Sequence, residues 1–376
     1  MKILVLTHEY PPIGGGGGMV AKDLAVGLAG KGHKVMILTT KIPNIPPDSS
    51  SDRVKVKRVE TFRKRAFKAS FVDMALYDLA VLWHGARIIK KWKPDLIHAH
   101  FAVPAGAVAR ILSRWFGIPY LLTAHLGDVP GAVPSKTDQW FRWILPFTHV
   151  IWRDAAVVVA VSEFTRNLAH KLYPVPIQVI HNGIGIDKIN TPTIDAGANR
   201  PVQLIFAARF AEQKNPSHLV QALAPLKELD WQCNMLGDGP LYDEVRKMVR
   251  NLGLEDKFNF AGWVTPEQVV AAFAENDILV LPSSSEGLSV VGVQALAMGL
   301  VMVLSDAGGN PELVSGGNGK LFHVGDIAAL TQALQGYILD RQALITARQE
   351  SLEYSKRFSI DLIIDQYDQI ISSIQR

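Results

Sequence analysis

The sequence predicts an α/β protein made of two doubly wound parallel sheets facing across a cleft. Short apolar runs alternate with helix-period segments along most of the chain, the pattern of successive β-α units. Runs such as "KILVL", "VVVAV" and "DILVL" are continuous in Val, Ile and Leu, as strands covered on both faces must be. The alternation stops at "NTPTIDAGANRP", residues 190–201, a polar stretch without periodicity, and then begins afresh.

In order, "KILVLTHEY" is a strand, "MVAKDLAVGLAGKG" a helix, "HKVMILTT" a strand and residues 70–92 a long amphipathic helix. "PDLIHAH", "IPYLLTAH" and "AAVVVAV" are further strands, separated by helical segments. After the break come strands at "VQLIFAARF", "WQCNMLGDG", "KFNFAGWV", "DILVLPSS" and "LVMVLSD", with helices around 216–229, 240–252 and 266–275. The expected limits are an N-terminal domain over 1–185, a linker over 186–200 and a C-terminal domain over 201–355. A last helix, 356–376, either stays with the second domain or crosses back to the first.

Composition narrows the function. A hydrophobic content of 48% with 20% charge is that of a globular chain, and 376 residues exceed one ordinary core. The single Cys233 excludes an internal disulfide and fits a reducing compartment. No apolar run reaches the roughly 18 residues a bilayer span needs. "KILVL" is short for a signal-peptide core, so a cytoplasmic location is expected. A net charge of +4 argues against a general nucleic-acid binder. Residues 53–68 nevertheless carry eight basic residues and one acidic one, with Phe62 and Phe67 interleaved. That segment reads either as a solvated face or as a landing patch for an anionic membrane or phosphorylated acceptor. The aromatic stretch "WFRWILPFTHVIW", 140–152, has the same two sides: a buried helix or a membrane contact.

The chemistry lies in strand-end loops. "HEYPPIGGGGG" joins the first strand to the first helix, and its Gly15, Gly16 and Gly17 let backbone N–H groups approach an anion. It is expected to be a flap closing on phosphate or acceptor, or simply a flexible hinge. A dinucleotide fingerprint fails at Met19, and no acid ends the second strand to hold a ribose. "FAARFAEQKNP" places Arg209 and Lys214 in one strand–loop–helix turn, two cations suited to a diphosphate leaving group. "GDGP" with Gly237, and "AGWV" with Gly262 and Trp263, end neighbouring strands and are expected to line a nucleotide-sized groove. In "EGLS" the amides of Gly287, Leu288 and Ser289, after Glu286, are expected to open a helix and point at phosphate. On the first-domain side, His125 ends one strand, His98 and His100 end another, and Tyr10 lies in the glycine loop. Two histidines two apart on a strand could begin a metal site, but no third ligand cluster lies near them in sequence.

With these loops in order, the chain resembles the retaining nucleotide-sugar glycosyltransferases of the GT-B fold, family 4 (group 1). The resemblance runs from "HEYPPIGGGG" through "HAHF", "TAH", "VSEFTRN" and "HNGIGID" to "ARFAEQKNP", "LGDGP" and "LPSSSEGLSVVGVQALAMG". It implies two Rossmann-like domains and transfer of a hexose-type sugar from a UDP- or GDP-sugar to a lipid-linked or saccharide acceptor. By this resemblance Arg209 and Lys214 hold the donor diphosphate, Glu286 contacts the transferred sugar, and His125 touches it from the other domain. The glycine flap meets phosphate or acceptor, with His100 and Tyr10 on the acceptor side. No cofactor and no metal are implied, and no second carboxylate is aimed at the sugar as a two-carboxylate hydrolase would need. A cytoplasmic enzyme, peripheral on the inner face of the membrane, is the expected setting.

One position departs from the family pattern. Where the family has Glu-x7-Glu, this chain has Gln294, whose amide can still accept one ribose hydrogen bond and donate another. Losing a charge-assisted bond there costs on the order of 1 kcal/mol. Three rival readings stand beside this one: a sugar-nucleotide epimerase, a non-catalytic sugar-nucleotide-binding protein and a nicotinamide oxidoreductase.

Overall fold

The computed structural model describes residues 1–43, 48–50, 53–61, 71–132, 134–185, 194 and 200–374, the side chains of 48–50, 71–72 and 134–143 aside. The first unit opens with β1 (Lys2–Leu6), α1 (Gly16–Gly30), β2 (Lys34–Lys41), β3 (Asp48–Ser50) and β4 (Val54–Glu60). It continues through α2 (Phe71–Trp92), β5 (Leu96–His100), α3 (Ala107–Phe116), β6 (Tyr120–Ala124), α4 (Pro134–Arg153), β7 (Val157–Ala160), α5 (Glu163–His170) and β8 (Ile177–Val179). The second unit holds β9 (Val202–Ala207), α6 (Pro216–Leu223), β10 (Trp231–Leu236), α7 (Tyr242–Asn251), β11 (Phe258–Gly262) and α8 (Pro266–Phe273). It ends with β12 (Ile278–Leu281), α9 (Val290–Ala297), β13 (Val301–Ser305), β14 (Gly319–Phe322), α10 (Ile327–Leu339) and α11 (Arg341–Ser355). The last helix, α12 (Ile360–Ile374), belongs to the first unit, which is otherwise Met1–Gly183. The second unit spans Ile184–Ser359.

Each unit is a doubly wound sheet. Among the described residues the first has the order β3-β4-β2-β1-β5-β6-β7-β8, parallel except where β3 meets β4. The second has the order β11-β10-β9-β12-β13-β14, parallel throughout. The apolar runs fill the central strands: Ile3, Leu4, Leu6, Leu121 and Leu122 in one sheet, and Leu204, Ile205, Ile278 and Val303 in the other, are fully buried. Strand order reverses between β1 and β5 and again between β9 and β12. At such a reversal the loops after the two strands turn to opposite faces and leave a crevice for a ligand.

The structure departs from the sequence reading in one segment of the first sheet. Residues 54–60 form β4, paired in parallel with β2 from Val35↔Val54 to Lys41↔Glu60. Val54, Val56 and Val59 are buried while Lys55 and Glu60 are exposed, so part of the basic segment is a half-buried strand. Arg58 within it is committed locally: its Nη2 donates to the Pro11 carbonyl at 2.7 Å. The remainder of that segment, 62–68, lies outside the described residues. In the aromatic stretch, Trp152 is buried and stacked on Tyr173 at 4.4 Å, whereas Phe147 is exposed. No helix among the described residues is long and apolar enough to cross a membrane.

Helix α12 is tied to the first sheet by polar and apolar contacts together. Asp368 Oδ1 lies 2.6 Å from His33 Nε2, and Asp365 pairs with Lys31. The Tyr367 side chain is buried, with its hydroxyl 3.1 Å from Thr123 Oγ1 on β6. Removing that ring, Tyr367→Ala, is expected to cost about 3–5 kcal/mol, the range for truncating a buried aromatic. Urea unfolding followed by tryptophan fluorescence measures it; an unchanged midpoint would show that α12 contributes nothing to the first unit.

Candidate functional site

In the second unit the expected cations stand at the β9/β12 reversal. Arg209 follows β9 by two residues and is exposed, with no ion pair among the described residues. Lys214 ends a single 3-10 turn, Glu212–Lys214, and Asn215 caps it in the left-handed region at φ 44°. The loop after β12 is laced to that turn. Ser284 N donates to the Gln213 carbonyl at 2.8 Å, Gln213 Nε2 to the Ser285 carbonyl at 2.9 Å, and Asn215 Nδ2 to the Pro282 carbonyl at 3.1 Å. These bonds bring Lys214 Nζ to 2.5 Å from Glu286 Oε1. Ser283 Oγ donates to the same oxygen at 2.6 Å. Glu286 is only 6% exposed, so its charge is held by one cation and one hydroxyl in place of water.

The backbone of Glu286 is fixed by a third loop. Gly309, beyond β13, donates its N–H to the Glu286 carbonyl at 3.1 Å. A Cβ at Gly309 would lie 1.6 Å from the Gly287 carbonyl oxygen, so only glycine fits that approach. The dipeptide "GG" at the end of a third parallel strand was the signal for this support, which the loop-by-loop reading passed over. Ser283, the third residue of "LPSSSEGLS", was likewise given no role.

Helix α9 begins at Val290, three residues later than expected. Ser289 is its N-cap, and its Oγ accepts from Gly292 N at 3.1 Å. Gly287 and Leu288 therefore precede the helix, and the Leu288 side chain is buried in the core beneath the loop. The first-turn amides not engaged by the Ser289 cap are those of Val290 and Val291. Gln294 lies one turn beyond Val290, half-buried. The neighbouring loops on the same edge are joined, since Gly237 N donates to the Gly262 carbonyl at 2.8 Å. Trp263 follows, 60% exposed.

The first unit gathers its expected residues at the β1/β5 reversal. The glycine run is not all loop: Gly15 is the N-cap of α1, Gly16 and Gly17 already form its first turn, and the N–H of Gly15 is taken by Glu9 Oε2 at 3.1 Å. Gly17 stands against the ring of Phe101, where a Cβ would come within 2.6 Å of Cζ. The run thus serves close packing of the helix start as well as loop freedom. Tyr10 is buried, with the Arg58 guanidinium 5.7 Å from its ring centroid.

His98, His100 and His125 form a buried row with ring centroids 4.3 and 5.8 Å apart. Burial holds the imidazoles of His98 and His125 down to about 3 and that of His100 well below its ordinary value. All three are neutral at physiological pH. Both ring nitrogens of His100 and the Nε2 of His125 are buried without a hydrogen-bond partner among the described residues. His98 Nε2 lies 2.9 Å from Thr123 Oγ1, and no group of three His, Cys, Asp or Glu side chains among the described residues is arranged to hold a metal. Phe101, left without a part in the quoted "HAHF", and Asp128 stand beside His125.

Residues 14–188 match the family model of Glycosyltransferase Family 4, and residues 194–357 match that of Glycosyl transferases group 1. The chain is a group 1 glycosyltransferase of the GT-B fold. It is 27% identical, over all of its own length and 98% of the relative's, to the N-acetyl-alpha-D-glucosaminyl L-malate synthase of Bacillus anthracis. Its fold matches that of sucrose-phosphate synthase from Thermosynechococcus elongatus, with a TM-score of 0.86 at 23% identity, covering 100% of this chain and 99% of the other. It also matches HepE from Anabaena, solved in complex with UDP, with a TM-score of 0.77 at 22% identity over 99% of this chain and 100% of the other. As a group 1 glycosyltransferase it transfers sugar from a nucleotide sugar.

The neutral histidines of this glycosyltransferase give its stability a pH dependence. His98 takes up its proton near 6.5 when unfolded but near 3 when folded, so between those values the unfolded state binds more protons and stability is lost as the pH is lowered. Asp128, whose carboxyl is pushed up to about 7 by burial, works in the opposite sense over 3.8–7. Comparing wild type with His98→Phe cancels Asp128. From pH 6.5 to 5 the variant is expected to lose about 2 kcal/mol less than wild type in urea unfolding. Parallel curves would show that His98 is not held neutral.

Proposed function

We propose that this glycosyltransferase moves a hexose-type sugar, with retention of configuration and without a metal ion, from a UDP- or GDP-sugar to a lipid-linked or saccharide acceptor. The observation that carries the reading is the placement of Arg209, Lys214 and Glu286 on the two loops that flank the β9/β12 reversal. As the bond from sugar to diphosphate breaks, negative charge grows on the leaving oxygens. Arg209 is exposed and able to meet it, and Lys214 reaches it by leaving Glu286. Glu286, released from Lys214, accepts from sugar hydroxyls, while Ser283 keeps its orientation. The leaving phosphate takes the acceptor proton, so no second carboxylate is required.

In the first unit, neutral His125 serves the sugar as a hydrogen-bonding group. The glycine turn at Gly15–Gly17 faces phosphate or acceptor, with His100 and Tyr10 in its surroundings. Gly237, Gly262 and Trp263 line the nucleotide groove, and Gln294 takes the ribose. The enzyme works in the cytoplasm, peripheral to an anionic membrane surface. A small hydroxy acid is a second acceptor reading, supported by the full-length likeness to the N-acetyl-alpha-D-glucosaminyl L-malate synthase of Bacillus anthracis.

A thermal-shift panel of UDP- and GDP-sugars, led by UDP-N-acetylglucosamine, identifies the donor. A true donor at 100 times its dissociation constant stabilises by about 2.7 kcal/mol. With that donor, Arg209→Ala is expected to lower turnover about a hundredfold or more, and EDTA to leave it unchanged. A near-native rate in the variant removes Arg209 from the diphosphate, and loss of rate with EDTA removes the metal-free mechanism.

A further inference from the structure

Three strand-end loops of the first unit converge on the ring of His125, and one carboxylate binds two of them together. Asp128 is buried at 3% exposure with no cation paired to it among the described residues. Its Oδ2 accepts from the backbone N–H of His125 at 2.8 Å. Its Oδ1 accepts from the N–H of Ala102 at 2.8 Å and of Val103 at 3.4 Å. The carboxylate therefore grips the chain at His125 and, across the β5/β6 pair, directly after Phe101.

Phe101 is the unusual residue of this set. Its φ of 74° lies in the left-handed region, where a bulky side chain is an outlier that surrounding contacts must hold in place. They do so on both sides: its N–H donates to the Thr123 carbonyl at 3.0 Å, its carbonyl accepts from Gly106 N at 3.0 Å, and the next two N–H groups end on Asp128. The outcome is the position of the ring. It stacks on His125 with centroids 4.3 Å apart at 30°, lies 4.6 Å from His8, and closes against Gly17 in the first turn of α1.

We propose that Asp128 is a positioning residue for His125: it holds the imidazole in one orientation by fixing its backbone directly and by locking Phe101 as the wall against which the ring stacks. The functional side of this inference rests on the reading of His125 as a sugar contact; the positional side does not. In Asp128→Asn the amide still accepts on one side, but its NH2 then faces an N–H donor, so one of the two loops is released.

Histidine side-chain 15N NMR on the full-length protein tests the positional side, with the His125 signal assigned by its disappearance in His125→Gln. At pH 8, above the value of about 7 to which burial pushes the Asp128 carboxyl, the wild-type ring is expected to be one neutral tautomer. In Asp128→Asn it should show tautomer averaging at the same pH. A signal identical to wild type overturns the proposal, because a merely structural Asp128 would lower the thermal midpoint and leave the His125 signal of the folded protein untouched. Should Asp128→Asn fail to fold, Phe101→Leu removes the stacking wall and is read in the same way. Nucleoside diphosphate release from UDP-N-acetylglucosamine as the probe donor tests the functional side. Asp128→Asn is expected to lose about tenfold in kcat/KM, and less than about twofold when His125 is already Gln. Equal losses in both backgrounds overturn the action through His125. A native rate in His125→Gln alone overturns the sugar role of His125 and leaves the NMR result standing.

Discussion

The strand-end loops at the β9/β12 reversal depend on one buried charge. Glu286 is nearly inaccessible to water, and a carboxylate there is tolerable only because Lys214 and Ser283 both reach the same oxygen. That requirement sets the surroundings. Lys214 must be delivered by a tight turn after β9, and Glu286 must be held at the end of β12 by the Gly309 amide from beyond β13. Three loops from three parallel strands are thereby locked to one another before any ligand arrives.

The pairing also gives the reaction an order. An ammonium already neutralised by a carboxylate is a poor partner for a diphosphate unless it moves. In the proposed mechanism a donor offers both replacements at once: phosphate oxygens for Lys214 and sugar hydroxyls for Glu286. The first unit works by the opposite electrostatic logic. Its histidine row is neutral by burial, and the buried acid beside it, Asp128, is satisfied by backbone N–H groups.

Much of this was legible in the sequence because parallel sheets advertise themselves. The continuous runs "KILVL", "VVVAV" and "DILVL" are buried strands, and the loops after "VQLIFA" and "DILVL" carry Arg209, Lys214 and Glu286 to one reversal of strand order. What escaped notice did so for physical reasons. In "VKVKRVE" the valines alternate with cations, and the charge total hid a half-buried strand. β3, β8 and β14 are three- or four-residue edge strands, too short for a periodicity signal. The starts of α1 and α9 moved, and local side chains take amides there: Glu9 at Gly15, and Ser289 at Gly292. Gly309, Phe101 and Asp128 act through contacts with distant loops, which spacing along the chain does not encode.

The central claim is that Lys214 must leave Glu286 to bind the donor diphosphate. Isothermal titration of UDP and GDP into wild type and Glu286→Gln measures this without any acceptor or turnover. If the claim holds, removing the carboxylate frees Lys214 and the variant binds the preferred nucleoside diphosphate more tightly than wild type. Equal or weaker binding by Glu286→Gln would contradict it.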